Sequence, residues 1–232
     1  MKLFFKRYIP VLFFAVMLVY IFAGSYQHQL LQLLTKPLLL PLLMLWLVLN
    51  AGNSKQRSLI LIALLFSFAG DVFLLLEYKN KFLFIPGLVS FLITHILYII
   101  YFVQLPGKSK SLLQTAPYLG LLVIVYGIAL IYLLYPTLGA LKIPVVIYAT
   151  VIMSMLLASI HVYHKVKQRV ARLFIAGACF FVLSDSLLAF NKFHTPLAFS
   201  FLIMVTYCVA QYLIVKGVIL QSNSSDVAGK AN

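Results

Sequence analysis

Only four carboxylates occur in 232 residues, and two of them, Asp71 and Asp185, stand inside long apolar runs, FSFAGDVFLLL and FFVLSDSLLAF. A lysine, Lys36, and a histidine, His95, fall inside such runs as well. An Asp at the centre of a spanning helix costs about 2.5 to 3.5 kcal/mol on insertion scales, so an ionisable group in that position is a functional-site candidate. Two carboxylates with Lys and His suit three kinds of work. They can serve general acid and base catalysis, form a proton or substrate path without bond cleavage, or ligate a metal. The metal reading has a single embedded His to draw on, and the expectation is that neither metal nor other cofactor takes part.

The neighbours of these residues admit both chemistry and packing. Ser67 and Gly70 precede Asp71 at i−4 and i−1, which puts the hydroxyl on the acid's face and lets a neighbouring helix approach closely. Ser184 and Ser186 flank Asp185 and can bond it or simply pack. Lys36, followed by Pro37, either snorkels to the headgroups, binds a phosphate as a point charge, or holds one Asp ionised. His95 has Tyr98 at i+3, and Tyr207 and Gln211 share a face of the last apolar run, where they can supply neutral hydrogen bonds. The candidate set is therefore Asp71, Asp185 and His95 for chemistry, and Lys36, Ser67, Ser184, Tyr207 and Gln211 for binding.

Other motifs are weaker or missing. His161 and His164 stand in HVYHKVKQRVAR among basic residues, which reads as a solvated loop. Cys179 and Cys208 lie in apolar runs, where a thiol acts as a small apolar side chain. There is no HExxH, P-loop, GxSxG or CxxC, which removes the common metalloprotease, nucleotide-binding and serine-hydrolase patterns.

The elements that must position these groups are membrane helices. With 64% hydrophobic and 9% charged residues, the composition is that of a polytopic helical membrane protein. Eight runs are long enough to cross a bilayer, at 8–24, 32–50, 58–77, 83–104, 112–134, 142–161, 170–190 and 196–218. Lys2, Lys6 and Arg7 precede the first run, but no A-x-A-like site follows it, so an uncleaved first span is expected. The net charge of +14 sits in the connections and is a topology signal; no nucleic acid is implied. Thirteen Lys and Arg fall on the side of the termini and four on the other, so both termini are expected in the cytoplasm.

One domain is expected over residues 1–221, followed by a small, polar, disordered tail over 222–232. A weak repeat relates the third and fourth runs to the seventh and eighth. Each pair carries an Asp and then Thr94-His95 or Thr206-Tyr207, which suggests two parallel four-helix halves within this all-α bundle. At 1.5 Å per residue, Asp71 and Asp185 lie ~20 and ~22 Å from the cytoplasmic side and Lys36 ~6 Å from the outer side, so the three share the outer third of the membrane.

The ordered set TKPL (35–38), SFAGD (67–71), the series Gly87, Phe91, His95, Tyr98, then GACFFVLSDSLLA (177–189) and YCVAQYLI (207–214) resembles the YhhN family of eight-span membrane proteins. The resemblance covers nearly the whole chain. It implies lysoplasmalogenase activity, which is hydrolysis of the vinyl ether of a lysophospholipid to a fatty aldehyde and a glycerophospho-base. It also implies a lysophospholipid partner within the bilayer; the expected location is the cytoplasmic membrane of a bacterium. That hydrolysis demands proton delivery to carbon, for which one neutral carboxylic acid and one carboxylate can divide the work, as in glycosidases. On this reading Asp185 is the acid, Asp71 stabilises the cation or orients water, His95 relays protons and Lys36 lies near the phosphate. A transporter or lipid-binding protein, or a metal-dependent lipid hydrolase, is the alternative use of the same residues.

Overall fold

The computed structural model describes residues 2–107 and 110–229, the side chains of 2–6 and 225–229 excepted. It is helical throughout, with no strand among the described residues. The α-helices are α1 (Lys2–Ser25), α2 (Gln29–Asn50), α3 (Lys55–Leu76), α4 (Phe84–Val103), α5 (Leu112–Thr115), α6 (Pro117–Leu134), α7 (Lys142–His161), α8 (Gln168–Phe193) and α9 (Phe201–Gly229). All but the single turn α5 are long and apolar enough to cross a membrane, giving the eight expected spans of an integral membrane protein.

Several boundaries differ from the hydropathy pattern, two of them for a clear local reason. The fifth run begins at Leu112 in sequence, but its helix breaks after Thr115, because Ala116 adopts φ −136°, ψ 68° ahead of Pro117. Proline disfavours helical geometry in the residue before it and opens a new helix well. The last span starts at Phe201 instead of residue 196. Pro196 falls in the turn after α8, where the Leu197 amide donates to Asn191 Oδ1 at 2.8 Å. At its far end α9 continues to Gly229, through part of the segment whose composition reads as a disordered tail; residues 230–232 lie outside the described set.

The chain divides into two compact units, Met1–Leu97 with Val218–Asn232, and Tyr98–Gly217. In the first, Phe13 of α1, Leu39, Leu40, Leu43 and Leu47 of α2, and Ile60 and Leu64 of α3 are buried. The turn from α2 to α3 is closed by Ser54, which caps α3 by accepting from the Arg57 amide at 3.1 Å. The Arg57 guanidinium donates to Ala51 O and Asn53 Oδ1. Pro37 and Pro41 remove two amide donors from the middle of α2, next to Lys36, which a spanning helix tolerates where neighbours cover the gap.

In the second unit Tyr101 and Phe102, near the end of α4, and Phe174, near the start of α8, form a buried aromatic group with ring centroids 5.1 to 5.8 Å apart. α8 meets α9 at Gly177, where an added Cβ would stand 2.7 Å from Ile214 Cγ1 and 3.1 Å from Ala210 O. Glycine here lets two backbones approach as small residues do in membrane bundles.

Candidate active site

In the first unit Lys36 of α2 reaches Asp71 of α3, with Nζ 3.6 Å from Oδ1. Both residues are buried, at 8% and 3% exposure, so Lys36 turns inward to a counter-charge and does not snorkel to the headgroups. The Tyr20 ring of α1 lies 6.0 Å from the same ammonium. Such a pair is stabilising only as a pair, since removing one partner leaves an uncompensated charge at about 3–5 kcal/mol.

Asp71 is held in place by its own helix's contacts with α4. Ser67, one turn before it, donates to Thr94 Oγ1 at 3.1 Å, and the Thr94 hydroxyl in turn lies 3.1 Å from the carbonyls of Ala63 and Ser90. His95 follows Thr94 and has no measurable exposure. Gly70 accepts the Phe91 ring of α4 so closely that a Cβ would stand 2.7 Å from Phe91 Cε2. The close approach expected of Gly70 is what the structure contains. Ser67 works between α3 and α4 as a hydrogen-bonding pin.

In the second unit the Tyr148 hydroxyl of α7 donates to Asp185 Oδ2 of α8. The flanking serines point elsewhere: Ser184 donates to Ile203 O of α9 at 2.9 Å, and Ser186 donates to its own helix at Val182 O while accepting from Tyr126 of α6 at 2.8 Å. Asp185 shares its helical face with the wholly buried Phe181 and Ala178, yet stays partly accessible, whereas Leu183 and Phe180 mark the outward face of α8. Asp185 therefore lies on the side of α8 away from the exposed Leu183 and Phe180.

Tyr207 and Gln211 form a buried relay in the same unit. Gln211 accepts at Oε1 from Tyr98 at 2.7 Å and donates from Nε2 to the Tyr207 hydroxyl at 3.3 Å. Phe181 packs against both tyrosine rings, at 6.0 and 5.7 Å between centroids. Among the described residues no three of His, Cys, Asp and Glu come together as metal ligands.

Lys36 and Asp71, with Ser67 and His95, thus belong to the first unit, and Asp185, Ser184, Tyr207 and Gln211 to the second. Tyr148 and Tyr126 were not legible as site residues. A tyrosine in an apolar run reads as packing, and the available signal is depth. α7 and α8 are antiparallel neighbours, and counted from their shared turn Tyr148 and Asp185 stand 13 and 17 residues in, ~20 and ~26 Å.

Two relatives are proteins described as lysoplasmalogenase TMEM86A. That of Homo sapiens is 33% identical over 186 residues, covering 75% of this chain and 73% of that protein. That of Bos taurus is 31% identical over the same coverage. No solved structure matches. The sequence matches the YhhN family across residues 31–218, which takes in seven of the eight spans whole or nearly so and both intramembrane acids; the chain belongs to the YhhN family.

Proposed function

We propose that this chain is an ether hydrolase of the lysoplasmalogenase type, cleaving the vinyl ether of a lysophospholipid by acid catalysis, with Asp185 as proton donor and Asp71 as the ionised carboxylate. The observation that carries the division of roles is the difference in partners. Asp71 is buried beside an ammonium, which balances a negative charge, whereas Asp185 is partly accessible and accepts from a neutral phenol, a partner compatible with either protonation state. The relatives' activity supports the reaction class.

The chemistry balances with water as the sole co-reactant. The transferable proton is carried by the Asp185 carboxyl, whose Oδ2 accepts from the Tyr148 hydroxyl. It passes to the outer carbon of the enol ether, and the π pair forms the new C–H bond and leaves an oxocarbenium ion. Water adds to that ion and loses a proton, which restores the acid. The resulting hemiacetal collapses to a fatty aldehyde and the glycerophospho-base alcohol.

The test is turnover of purified protein on vinyl-ether, alkyl-ether and acyl lysophospholipids in heavy water, with the aldehyde trapped at once. Only the vinyl ether should be cleaved, and the aldehyde should carry one deuterium on the carbon next to its carbonyl. Aldehyde without carbon-bound deuterium, or equal hydrolysis of the alkyl ether, overturns the acid route. Binding without product favours the transport or lipid-binding alternative.

A further inference from the structure

The ion pair of Lys36 with Asp71 leaves the substrate's phosphate in need of another cation, and the second unit has one at a telling distance. Lys192 stands in the last turn of α8, exposed, seven residues beyond Asp185 and therefore on the same helical face, about 10 Å further along the axis. Lys142 opens α7 at the same end, its ammonium 4.4 Å from the Tyr135 centroid. That these ends adjoin is shown by the core they share, in which Val145 and Leu141 pack with Phe190 and Phe193. In the other direction along α8 the first cation is Arg172, 13 residues or ~20 Å from Asp185.

A lysoplasmalogen carries its own ruler. Seven bonds separate the phosphorus from the outer vinyl carbon, about 8 Å at the ~1.2 Å per bond of an extended chain. This matches the span from Asp185 to Lys192, with the flexible lysine stem taking up the difference, and falls far short of Arg172. Building on the ether-hydrolase reading, we propose that Lys192, with Lys142 at the same end, is the phosphate-binding subsite, one glycerol length from the acid. The lysophospholipid then enters from the end where α7 begins and α8 finishes, headgroup last, and its vinyl ether comes to rest beside Asp185. An ammonium binds phosphate as a point charge, which accommodates different headgroups beyond the phosphate.

The experiment compares a 1-alkenyl lysophosphatidylethanolamine with the 1-alkenyl glycerol of the same chain, using the full-length protein in nanodiscs. Lys192→Gln should reduce the preference in kcat/KM for the phosphate-bearing lipid about tenfold, through KM, and Lys192→Arg should retain it. An unchanged preference in Lys192→Gln, or an equal loss on both lipids, overturns the subsite. If the wild-type protein cleaves neither lipid, the ether-hydrolase reading has failed, and the subsite is decided by binding of uncleavable 1-alkyl analogues. Weaker binding of the alkyl lysophospholipid relative to the alkyl glycerol in Lys192→Gln supports it, and unaltered relative binding overturns it.

Discussion

Tyr148 carries a specific burden, because its hydroxyl donates to the carboxyl proposed as the acid. Tyr148→Phe keeps the ring and removes the donor, so kcat should fall about tenfold to a hundredfold while KM for the lipid changes little. A rise in KM with kcat intact would make Tyr148 a binding residue. The buried pair behaves differently. Asp71→Asn strands the Lys36 ammonium, and Lys36→Met strands the carboxylate, so each single change should destabilise by about 3–5 kcal/mol. The double variant should recover most of that stability without recovering turnover, read by thermal unfolding in detergent beside the aldehyde assay. Additive destabilisation would show that the two charges do not depend on each other. The sequence made Asp71, Asp185 and Lys36 visible because charge in an apolar run is costly wherever it points. It did not reveal that Lys36 faces Asp71, since snorkelling and pairing differ only in the direction a helix face turns, which tertiary packing decides.

The contact between α3 and α4 is made by a hole and a ring. Gly70 leaves the space and Phe91 fills it, one residue before the catalytic candidate Asp71. Gly70→Ala should therefore overpack this contact at a cost of about 1–3 kcal/mol. Combining it with Phe91→Leu should return stability; if it does not, the ring is not what the methyl group meets. The eight helices were legible because lipid demands long apolar runs whatever the packing. The break at Pro117 was not, because LLQTAPYLG stays apolar across it and hydropathy does not register a missing amide. The start of the last span was misplaced for a related reason: Pro196 and Leu197 are apolar enough to join the run, yet they are tied into a turn by Asn191.

At the scale of the whole chain, thirteen basic residues on one side against four on the other predict that both termini face the cytoplasm. Reporter fusions after residues 54 and 167 should both read as cytoplasmic, and an external readout at either would invert the topology. With that orientation Lys142 and Lys192 lie at the outer face, and the substrate subsite proposed there faces the outer leaflet. The internal likeness of Asp71 with Thr94-His95 to Asp185 with Thr206-Tyr207 has different partners in its two occurrences. One acid meets a lysine and the other a tyrosine, so a shared ancestral position would now serve two tasks.

The pairing of Lys36 with Asp71 also constrains how the protein is made. The cation leaves the ribosome 35 residues before its counter-charge, so at about 5–20 residues per second it waits roughly 2–7 s for it. Alone in lipid, α2 would carry an uncompensated lysine beside two prolines, and α3 would carry an uncompensated Asp, each costing a few kcal/mol. Release of α2 and α3 together, as a hairpin, would avoid both costs. Chains truncated after residue 54 should remain extractable from the membrane or be degraded, while chains ending after residue 80 should integrate stably. Lys36→Leu should let the shorter chain integrate on its own.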